Sequence, residues 1–308
     1  MNTVETNLSL TLAPLSIKEF KRKKDIAEYK TKLDKASLYI IVQREVPEIK
    51  VNEEKCDEKE ISLTIKLPKF GLELNAIYVL PEIINNVAFK NTVHKNGWDR
   101  LTFDASHGLG VLMWQGDIKP FITYNVLYVG QCAKEPLTKR FKAHHALMDM
   151  LIEEHAISSK STSSEELILM PFTADSYVTT TLTGDSSDED FVRAFTNNYT
   201  FTSDMINKDS EKALVRAMNP KYNKIRFKNY PKSEDGLYKT EADVYCYSIA
   251  ENIILKYTKG FVYGATDVLF SSKIIGDRQG DLNVYAPGED YVQKYAEQIY
   301  PPLTNKTY

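Results

Sequence analysis

The chain has 308 residues, of which 43% are hydrophobic and 26% are charged, and its net charge is −3. This composition is typical of a globular protein and excludes a largely disordered chain. The slightly negative charge excludes a protein that coats nucleic acid with its whole surface. The length exceeds that of a typical domain, so we expect two domains.

The cysteine and hydropathy patterns indicate the cellular compartment. Cys56, Cys132 and Cys246 are odd in number and widely spaced, which predicts neither a disulfide framework nor a zinc ribbon. Near the amino terminus the basic cluster follows the apolar residues, the reverse of a secretory signal, and no apolar run is long enough to span a membrane. These features predict a cytoplasmic protein that has no membrane partner.

The first third of the chain mixes helical and strand patterns. Apolar residues at helical spacing predict a helix over residues 15–33. Ser37–Gln43 is β-branched and aromatic, and Glu60–Pro68 alternates apolar with polar residues, so both are predicted strands. We therefore predict an amino-terminal α+β region over residues 1–105 that selects or positions a substrate. Its boundary is set by the turn residues Ser106–Gly108.

The middle of the chain predicts a second unit over residues 106–232. Leu109–Trp114 and Asn125–Val129 are apolar segments, and the turn residues Gln115–Asp117 between them predict a hairpin. Pro136 begins a predicted helix of about 19 residues with one apolar side. Leu167–Phe172 is a predicted strand. This unit would supply the core of the second domain.

The last part of this unit is a helix followed by a basic loop. Lys208–Met218 is a predicted helix that Pro220 ends. Between Glu211 and Lys232 there are seven lysines and arginines, while Glu211 is the only acidic residue. A solvated helix face and loop would explain this charge as well as a binding function would.

We predict that residues 233–308 form a carboxy-terminal extension that packs on this core. Asp243–Ile254 and Lys259–Phe270 are rich in β-branched and aromatic residues and predict strands. A terminal helix is predicted near Asp290–Tyr300. We find no internal repeat, phosphate-binding glycine loop, dinucleotide fingerprint or zinc spacing in the sequence.

Two separated motifs carry a resemblance to a known family. The first is Tyr128-Val129-Gly130 followed by Arg140 and His144, and the second is Glu211 followed by an apolar pair, Pro220 and Asn223. In this order they resemble the GIY-YIG nucleases over roughly residues 108–225. The resemblance implies an α+β fold with a small antiparallel or mixed sheet flanked by helices.

The resemblance also implies a role for each residue. Glu211 would bind Mg²⁺ or Mn²⁺, and the planar fork of Arg140 would pair with the scissile phosphate. Tyr128 would orient the phosphate or the attacking water. His144 would act as a base, accept a relayed proton or contact phosphate, and Asn223 would hold the loop. Taken singly, each has an ordinary structural explanation, such as a half-buried strand tyrosine or a carboxylate in the first turn of a helix.

The first family motif departs from the pattern. Its expected equivalent, Gly110-Val111-Leu112, ends in leucine where the family has a second tyrosine. Tyr124 is a secondary candidate for the missing hydroxyl, although it lies on the same predicted strand as Tyr128, and His145 is a secondary candidate beside His144.

The function expected from these residues is divalent-metal-dependent hydrolysis of phosphodiester bonds by an endonuclease. The family favours DNA over RNA. Restriction or defence, a mobile-element role and repair are all open, and the large flanks favour restriction. Symmetric cutting would favour a homodimer. We expect the basic loop to follow the nucleic-acid backbone, with Phe227 and Tyr230 stacking on bases. The predicted substrate-binding residues are Lys139, Lys142, Lys221, Lys224, Arg226 and Lys228.

Two alternatives to this function are left open by the sequence. One is a catalytically inactive domain that binds nucleic acid or protein on the same fold, which Leu112 in the first motif would support. The other is a ribonuclease or toxin, which would use the same residues.

Overall fold

The fold was established from a computed structural model. It describes residues 1–56, 59–80, 97–132, 135–141, 147, 149–150, 153–154, 165–182, 187–189, 191–192, 201–240 and 242–287. Within these residues the protein is an α+β structure with one large mixed sheet, one small antiparallel sheet and few helices. No helix in this part of the chain is long and apolar enough to cross a membrane.

The large sheet contains ten strands within the described ranges, in the order β12-β11-β8-β3-β9-β1-β10-β13-β14, with β2 paired to β9. Its strands are β1 (Asn2–Leu10), β2 (Leu15–Ser16), β3 (Leu38–Glu45), β8 (Thr123–Gln131), β9 (Glu165–Thr180), β10 (Val244–Ile249), β11 (Ile254–Tyr257), β12 (Gly260–Tyr263), β13 (Lys273–Asp277) and β14 (Leu282–Tyr285). Its strands come from all three predicted regions of the chain, which are residues 1–105, 106–232 and 233–308.

The small sheet lies between β3 and β8 in the chain. Its strands are β4 (Glu48–Val51), β5 (Glu60–Leu67), β6 (Leu72–Val79) and β7 (Val111–Gln115), joined in that order by antiparallel pairing. Residues 97–106 form helix α3, whose Trp98 and Leu101 pack into the buried face of this sheet. Because β3 and β8 are antiparallel neighbours in the large sheet, residues 46–122 are an insertion in a strand pair.

Helices cover both faces of the large sheet. The longest described helix, α5 (Ser203–Met218), buries Leu214, Val215 and Met218 in the main hydrophobic core. Thr202 caps its amino terminus, and Asn219 ends it in a left-handed conformation. The other face packs against three short helices, α1 (Ile17–Lys23), α2 (Ala27–Asp34) and α4 (Leu137–Arg140).

A buried ionic cluster joins the insertion to the large sheet. Arg44 Nη2 of β3 donates to Asp99 Oδ2 of α3 at 2.6 Å, and the Tyr124 hydroxyl donates to the other oxygen of Asp99 at 2.5 Å. Burial raises the pKa of Asp99, while the positive charge of Arg44 opposes this effect. Removal of either Arg44 or Asp99 alone would leave an uncompensated buried charge at the contact between the insertion and the sheet.

Several predicted elements are confirmed. The predicted strands at residues 37–43, 60–68 and 167–172 correspond to β3, β5 and the first part of β9, and the helix that carries Glu211 is α5. The predicted helix over residues 15–33 forms as two helices, α1 and α2. The predicted helix near residues 290–300 lies outside the described residues.

The predicted hairpin between residues 109 and 129 is wrong. Val111–Gln115 pairs with β6 in the small sheet, whereas the strand that carries Tyr128 pairs with β3 and β11. The sequence pattern indicated two neighbouring extended segments correctly. Their partners are set by long-range pairing that local residue types do not specify.

Candidate active site

The core of the candidate site is a pair of tyrosines on adjacent strands. Tyr39 of β3 lies directly opposite Gly130 of β8, and Ile41 lies opposite Tyr128. The rings of Tyr39 and Tyr128 are stacked, with their centroids 5.9 Å apart and an interplanar angle of 29°. Both hydroxyls therefore approach the end of β8 from one face of the sheet.

Gly130 is needed because the Tyr39 ring lies over its α-carbon. A Cβ atom at this position would lie 2.6 Å from the Tyr39 hydroxyl oxygen and 2.7 Å from Cε1 of Tyr128. Such contacts are too close for any side chain, so glycine allows the two rings to meet across the strand pair.

We expect Gly130→Ala to displace the tyrosines and to lower the free energy of unfolding by about 1–3 kcal/mol, as overpacking of a filled core does. The measurement is chemical denaturation of both proteins. Gly260→Ala is the matched control, because a Cβ there would meet its nearest neighbour at an ordinary 3.5 Å. Equal stability of the Gly130 variant and wild type would contradict the packing described for Tyr39.

Arg140 brings a positive charge to the tyrosine pair from the last residue of α4. Its Nε donates to the Tyr39 hydroxyl at 3.3 Å, and Tyr128 is also hydrogen-bonded to Tyr39 and Arg140. The helix is held in place by Leu137, which is fully buried, and by Phe141, whose ring packs 5.4 Å from that of Tyr39. The guanidinium is half-buried, so its charge is screened less than at the surface.

Glu211 supplies the carboxylate of the cluster. It lies in the middle of α5 and accepts a hydrogen bond from the side chain of Gln131, the last residue of β8, while Arg140 attracts its negative charge. Burial raises the pKa of Glu211 above that of an ordinary glutamate, and the Arg140 charge and the Gln131 hydrogen bond oppose the shift. The Arg140 charge and the Gln131 hydrogen bond therefore offset only part of the effect of burial on the pKa of Glu211.

The loop after α5 fastens this helix to the strand. Asn223 Oδ1 accepts from the backbone N–H of Val129 at 2.9 Å, and its Nδ2 donates to the carbonyl oxygen of Val129 at 2.7 Å. One residue earlier, the N–H of Tyr222 donates to the carbonyl oxygen of Leu127 at 3.1 Å. These three hydrogen bonds tie the loop to β8, and Asn223 holds Val129, the residue next to Tyr128.

The protonation states limit the chemistry of the cluster. Burial raises the pKa of Tyr39 and of Tyr128 above the ordinary value, so both phenols are neutral near pH 7 and can donate hydrogen bonds. Burial also raises the pKa of the nearby Cys132 thiol to about 12. Since the thiolate is the reactive form, Cys132 is not a nucleophile at neutral pH.

Glu211 and Gln131 offer oxygen ligands of the kind that a hard divalent cation binds, and water and substrate phosphate would supply the remaining ligands. Within the described ranges, no group of three or more His, Cys, Asp or Glu side chains could hold a metal by itself. Mg²⁺ is commonly bound by one or two carboxylates together with waters and substrate phosphates. Glu211 offers such a carboxylate, and Oε1 of its neighbour Gln131 is a buried oxygen that has no hydrogen-bond partner. Both are ligand types that Mg²⁺ and Mn²⁺ accept.

The structure places the predicted site residues as follows. Tyr128, Arg140, Glu211 and Asn223 come together around the end of β8. Leu112 does not, since it faces the core of the small sheet, so the expectation that residues 110–112 form the first motif is wrong. His144, His145 and Lys142 lie outside the described residues.

Tyr124 does not join the cluster. Its side chain is buried in the main core and its hydroxyl is bonded to Asp99, whereas Tyr128 packs on the opposite face of the sheet. A shift in the pairing register between Ile41 and Val42 separates the two parts of the strand pair. As a substitute for the first-motif tyrosine, Tyr124 is therefore wrong.

Sequence reasoning missed Tyr39. The predicted strand Ser37–Gln43 has Tyr39 as its third residue, but the sequence assigns this strand to the amino-terminal region because 88 residues separate Tyr39 from Tyr128. For a chain that resembles the GIY-YIG family, the lack of a tyrosine at residues 110–112 was the signal to look for one on another predicted strand.

The predicted substrate-binding lysines and arginine differ in whether their charged groups already bind other protein groups. Lys221 is exposed but pairs with Glu153 and Glu154, at 3.2 and 3.0 Å. Arg226 donates to the backbone carbonyl oxygens of Pro220 and Lys221, so its guanidinium shapes the loop. The remaining three described residues of this set are exposed and have no ion pair with any residue that the structure describes: Lys139, Lys224 and Lys228.

Comparisons with protein-family models, with curated proteins and with solved structures found no match to this chain.

Proposed function

We propose that this protein is a divalent-metal-dependent endonuclease of the GIY-YIG type that hydrolyses phosphodiester bonds in DNA. The observation that carries the proposal is the convergence of Tyr39, Tyr128, Arg140 and Glu211, which come from two strands and two helices, at the end of β8. A structural cluster would not need a phosphate-binding fork, two hydroxyl donors and a carboxylate in one place.

Each side chain of the cluster can perform a distinct task. Arg140 would bind the scissile phosphate, because a half-buried guanidinium stabilises the negative charge that grows on the phosphate oxygens. The neutral hydroxyl of Tyr128 would donate to a phosphate oxygen or to the attacking water. Glu211 would hold the divalent cation, which supplies charge neutralisation and lowers the pKa of a bound water.

Tyr39 is a positioning residue in this proposal. It is fully buried, and its hydroxyl accepts the Arg140 Nε–H rather than facing open solvent. By fixing the guanidinium, it would keep the phosphate-binding fork in the geometry that the reaction needs.

We expect Tyr39→Phe to lower the rate of DNA cleavage about tenfold, which corresponds to the loss of one hydrogen bond to a charged group. The ring is retained, so unfolding should change little. The measurement is the single-turnover cleavage rate at saturating protein, beside Tyr177→Phe as a control, since Tyr177 is exposed and bonds Glu5 instead. An unchanged rate would show that Tyr39 does not position Arg140.

The alternative of an inactive binding domain was suggested by Leu112 at the expected first motif. Tyr39 favours the nuclease, because it is a tyrosine on the strand that pairs with β8. We propose that the insertion of residues 46–122 selects the substrate, in keeping with restriction or defence. A homodimer that cuts both strands is part of the same proposal.

The test is incubation of the purified protein with plasmid DNA and with structured RNA, in Mg²⁺, Mn²⁺ or EDTA. Discrete DNA fragments that require the cation would support the proposal. Cleavage of RNA alone would replace it with the ribonuclease or toxin. Binding of nucleic acid without cleavage under any cation would replace it with the inactive binding domain.

A further inference from the structure

The basic loop, Lys224–Lys232, is held in a fixed shape next to the candidate active site. At its start, Arg226 bonds the carbonyl oxygens of Pro220 and Lys221. At its end, the buried Tyr230 hydroxyl donates to Asp209 Oδ2 of α5 at 2.9 Å. The expectation that Tyr230 stacks on bases is therefore wrong, because its ring belongs to the main core.

The centre of the loop is also constrained. Phe227 has a φ of 43°, a left-handed conformation that is strained for a bulky residue. Its ring is half-buried and packs against the main core, which maintains this backbone. The loop therefore presents a surface that exists before any ligand binds.

The surface of this loop combines one exposed apolar side chain with cations. Ile225 is 67% exposed, and it lines an open cavity of about 560 Å³ together with Lys224, Lys228 and Lys232. The structure describes no ion pair for these three lysines. An apolar side chain among exposed cations suits a polyanion that also has apolar surface, as nucleic acid does.

An exposed isoleucine is ordinary by itself, and Leu269 provides the comparison within this chain. Leu269 is 75% exposed, but it lies in a short turn at Val268–Phe270 beside Asp267, with no lysine or arginine between residues 260 and 272. Ile225 differs from it by the cations on both sides and by the rigid backbone. Minor-groove proteins that bend DNA combine an inserted apolar residue with arginine or lysine, and Ile225 with its neighbouring cations matches this combination.

The position of Ile225 follows from its neighbour Asn223, which is bonded to Val129 beside Tyr128. Two residues of chain span at most about 7.6 Å between α-carbons. A duplex rises about 3.4 Å per base pair. A substrate phosphate at Tyr128 and Arg140 would thus place Ile225 within a few base pairs of the cleavage position.

We propose that Ile225 inserts into the minor groove of duplex DNA beside the scissile phosphate and partly unstacks one base step, while Lys224 and Lys228 bind the flanking phosphates. This inference rests on the proposed function, because it needs a duplex bound at the Arg140 site. Minor-groove proteins use isoleucine and leucine in this way, and the opened step exposes the backbone to the active site. The wide, shallow minor groove of RNA does not offer the same fit.

The test uses a DNA duplex that contains a mapped cleavage position and 2-aminopurine at successive neighbouring base steps. Ca²⁺ replaces Mg²⁺ so that the protein binds without rapid cutting. We expect the fluorescence of one 2-aminopurine to rise severalfold on binding of wild type and to stay at the free-DNA level with Ile225→Ser. The cleavage rate of Ile225→Ser in Mg²⁺ should fall about tenfold, which corresponds to loss of a small part of the unstacking energy.

The lysines and a matched surface variant separate insertion from general binding. Ile225→Ser should keep the wild-type salt dependence of binding, whereas Lys224→Gln or Lys228→Gln should each reduce the slope by about one counterion. Leu269→Ser should match wild type in every assay. These variants change exposed residues, so folding is expected to be preserved.

Three outcomes would overturn the inference. If wild type cleaves the duplex and Ile225→Ser gives the same fluorescence and rate, insertion is refuted while the proposed nuclease stands. If fluorescence rises equally at every labelled step, the duplex has melted along its length, and Ile225 has not opened a single base step. If wild type cleaves only RNA or no nucleic acid, the proposed function and this inference both fail.

Discussion

Replacement of Glu211 by glutamine is expected to reduce cleavage by about a hundredfold or more, as loss of one preorganised electrostatic group does. Glutamine keeps the size of the side chain and its place beside Gln131, but it carries no charge to hold a divalent cation. Binding of DNA should persist, because the cations of the basic loop are untouched. The measurements are single-turnover cleavage and DNA binding by the same preparation.

The same substitution should not destabilise the protein at neutral pH. Burial raises the pKa of Glu211 in the folded state, so folding disfavours its charged form. This unfavourable contribution is absent below the pKa of an unfolded glutamate and is complete above the folded pKa. Glu211→Gln should therefore be at least as stable as wild type at pH 7, and the difference should disappear in acid.

The control for both measurements is Glu234→Gln, an exposed glutamate in the loop after the basic loop. It should leave cleavage and stability at the wild-type values. Two results would contradict the role of Glu211. One is full cleavage by Glu211→Gln, and the other is a large loss of stability that explains the lost activity without any part in binding the cation.

Replacement of Arg140 by alanine is expected to slow cleavage by a similar factor of about a hundred, because the scissile phosphate would lose its only half-buried cationic partner among the described site residues. Arg140→Lys should recover part of this loss, since lysine restores the charge but not the planar fork. The measurement is the single-turnover rate for the three proteins at one pH. A lysine variant as slow as the alanine variant would show that the two-pronged geometry matters more than charge.

Arg216→Ala is the matched control for Arg140→Ala. Arg216 lies on α5 and is exposed, so its loss changes the net charge equally without touching the tyrosine pair. It should alter cleavage little beyond a weak salt effect. Equal loss of activity in the two alanine variants would indicate that overall positive charge, and not the position of Arg140, supports the reaction.

The grouping of Glu211, Pro220 and Asn223 was predictable from the sequence because its geometry is local. Glu211, Pro220 and Asn223 lie on one helix and the loop that follows it, and the backbone links them at nearly fixed distances. Helix α5 has a capping residue, an apolar face and a proline after its end, which are all visible as sequence patterns. The structure then shows what Asn223 does, which is to bond both backbone groups of Val129.

The contact between Tyr39 and Tyr128 was not predictable from the sequence because it depends on which strands pair. Tyr39 and Tyr128 meet only when β3 and β8 lie side by side, and the insertion of residues 46–122 separates these strands in the chain. Loop closure becomes costlier only slowly as a loop grows, so a folded insertion is tolerated between paired strands. A local pattern at residues 109–129 therefore predicted a closer and incorrect partner.

The burial of the loop aromatics was likewise beyond a local prediction. Phe227 and Tyr230 are aromatic residues among lysines, a pattern that favours base stacking. Only the packed structure shows that the carboxylate of Asp209, on the buried face of α5, accepts a hydrogen bond from the Tyr230 hydroxyl. The apolar residue that remains exposed is Ile225, which the sequence does not distinguish.

The sequence by itself determined the α+β class, the helix that carries Glu211, the strand that carries Tyr128 and the basic character of the loop, because periodicity, capping residues and charge act over a few neighbouring residues. The tertiary structure decided that Tyr39 is the partner of Tyr128, that Gly130 gives it room and that Asn223 fastens the loop to the strand. These contacts arise from strand pairing and core packing between distant segments, whose register is fixed by the buried surface of the whole sheet.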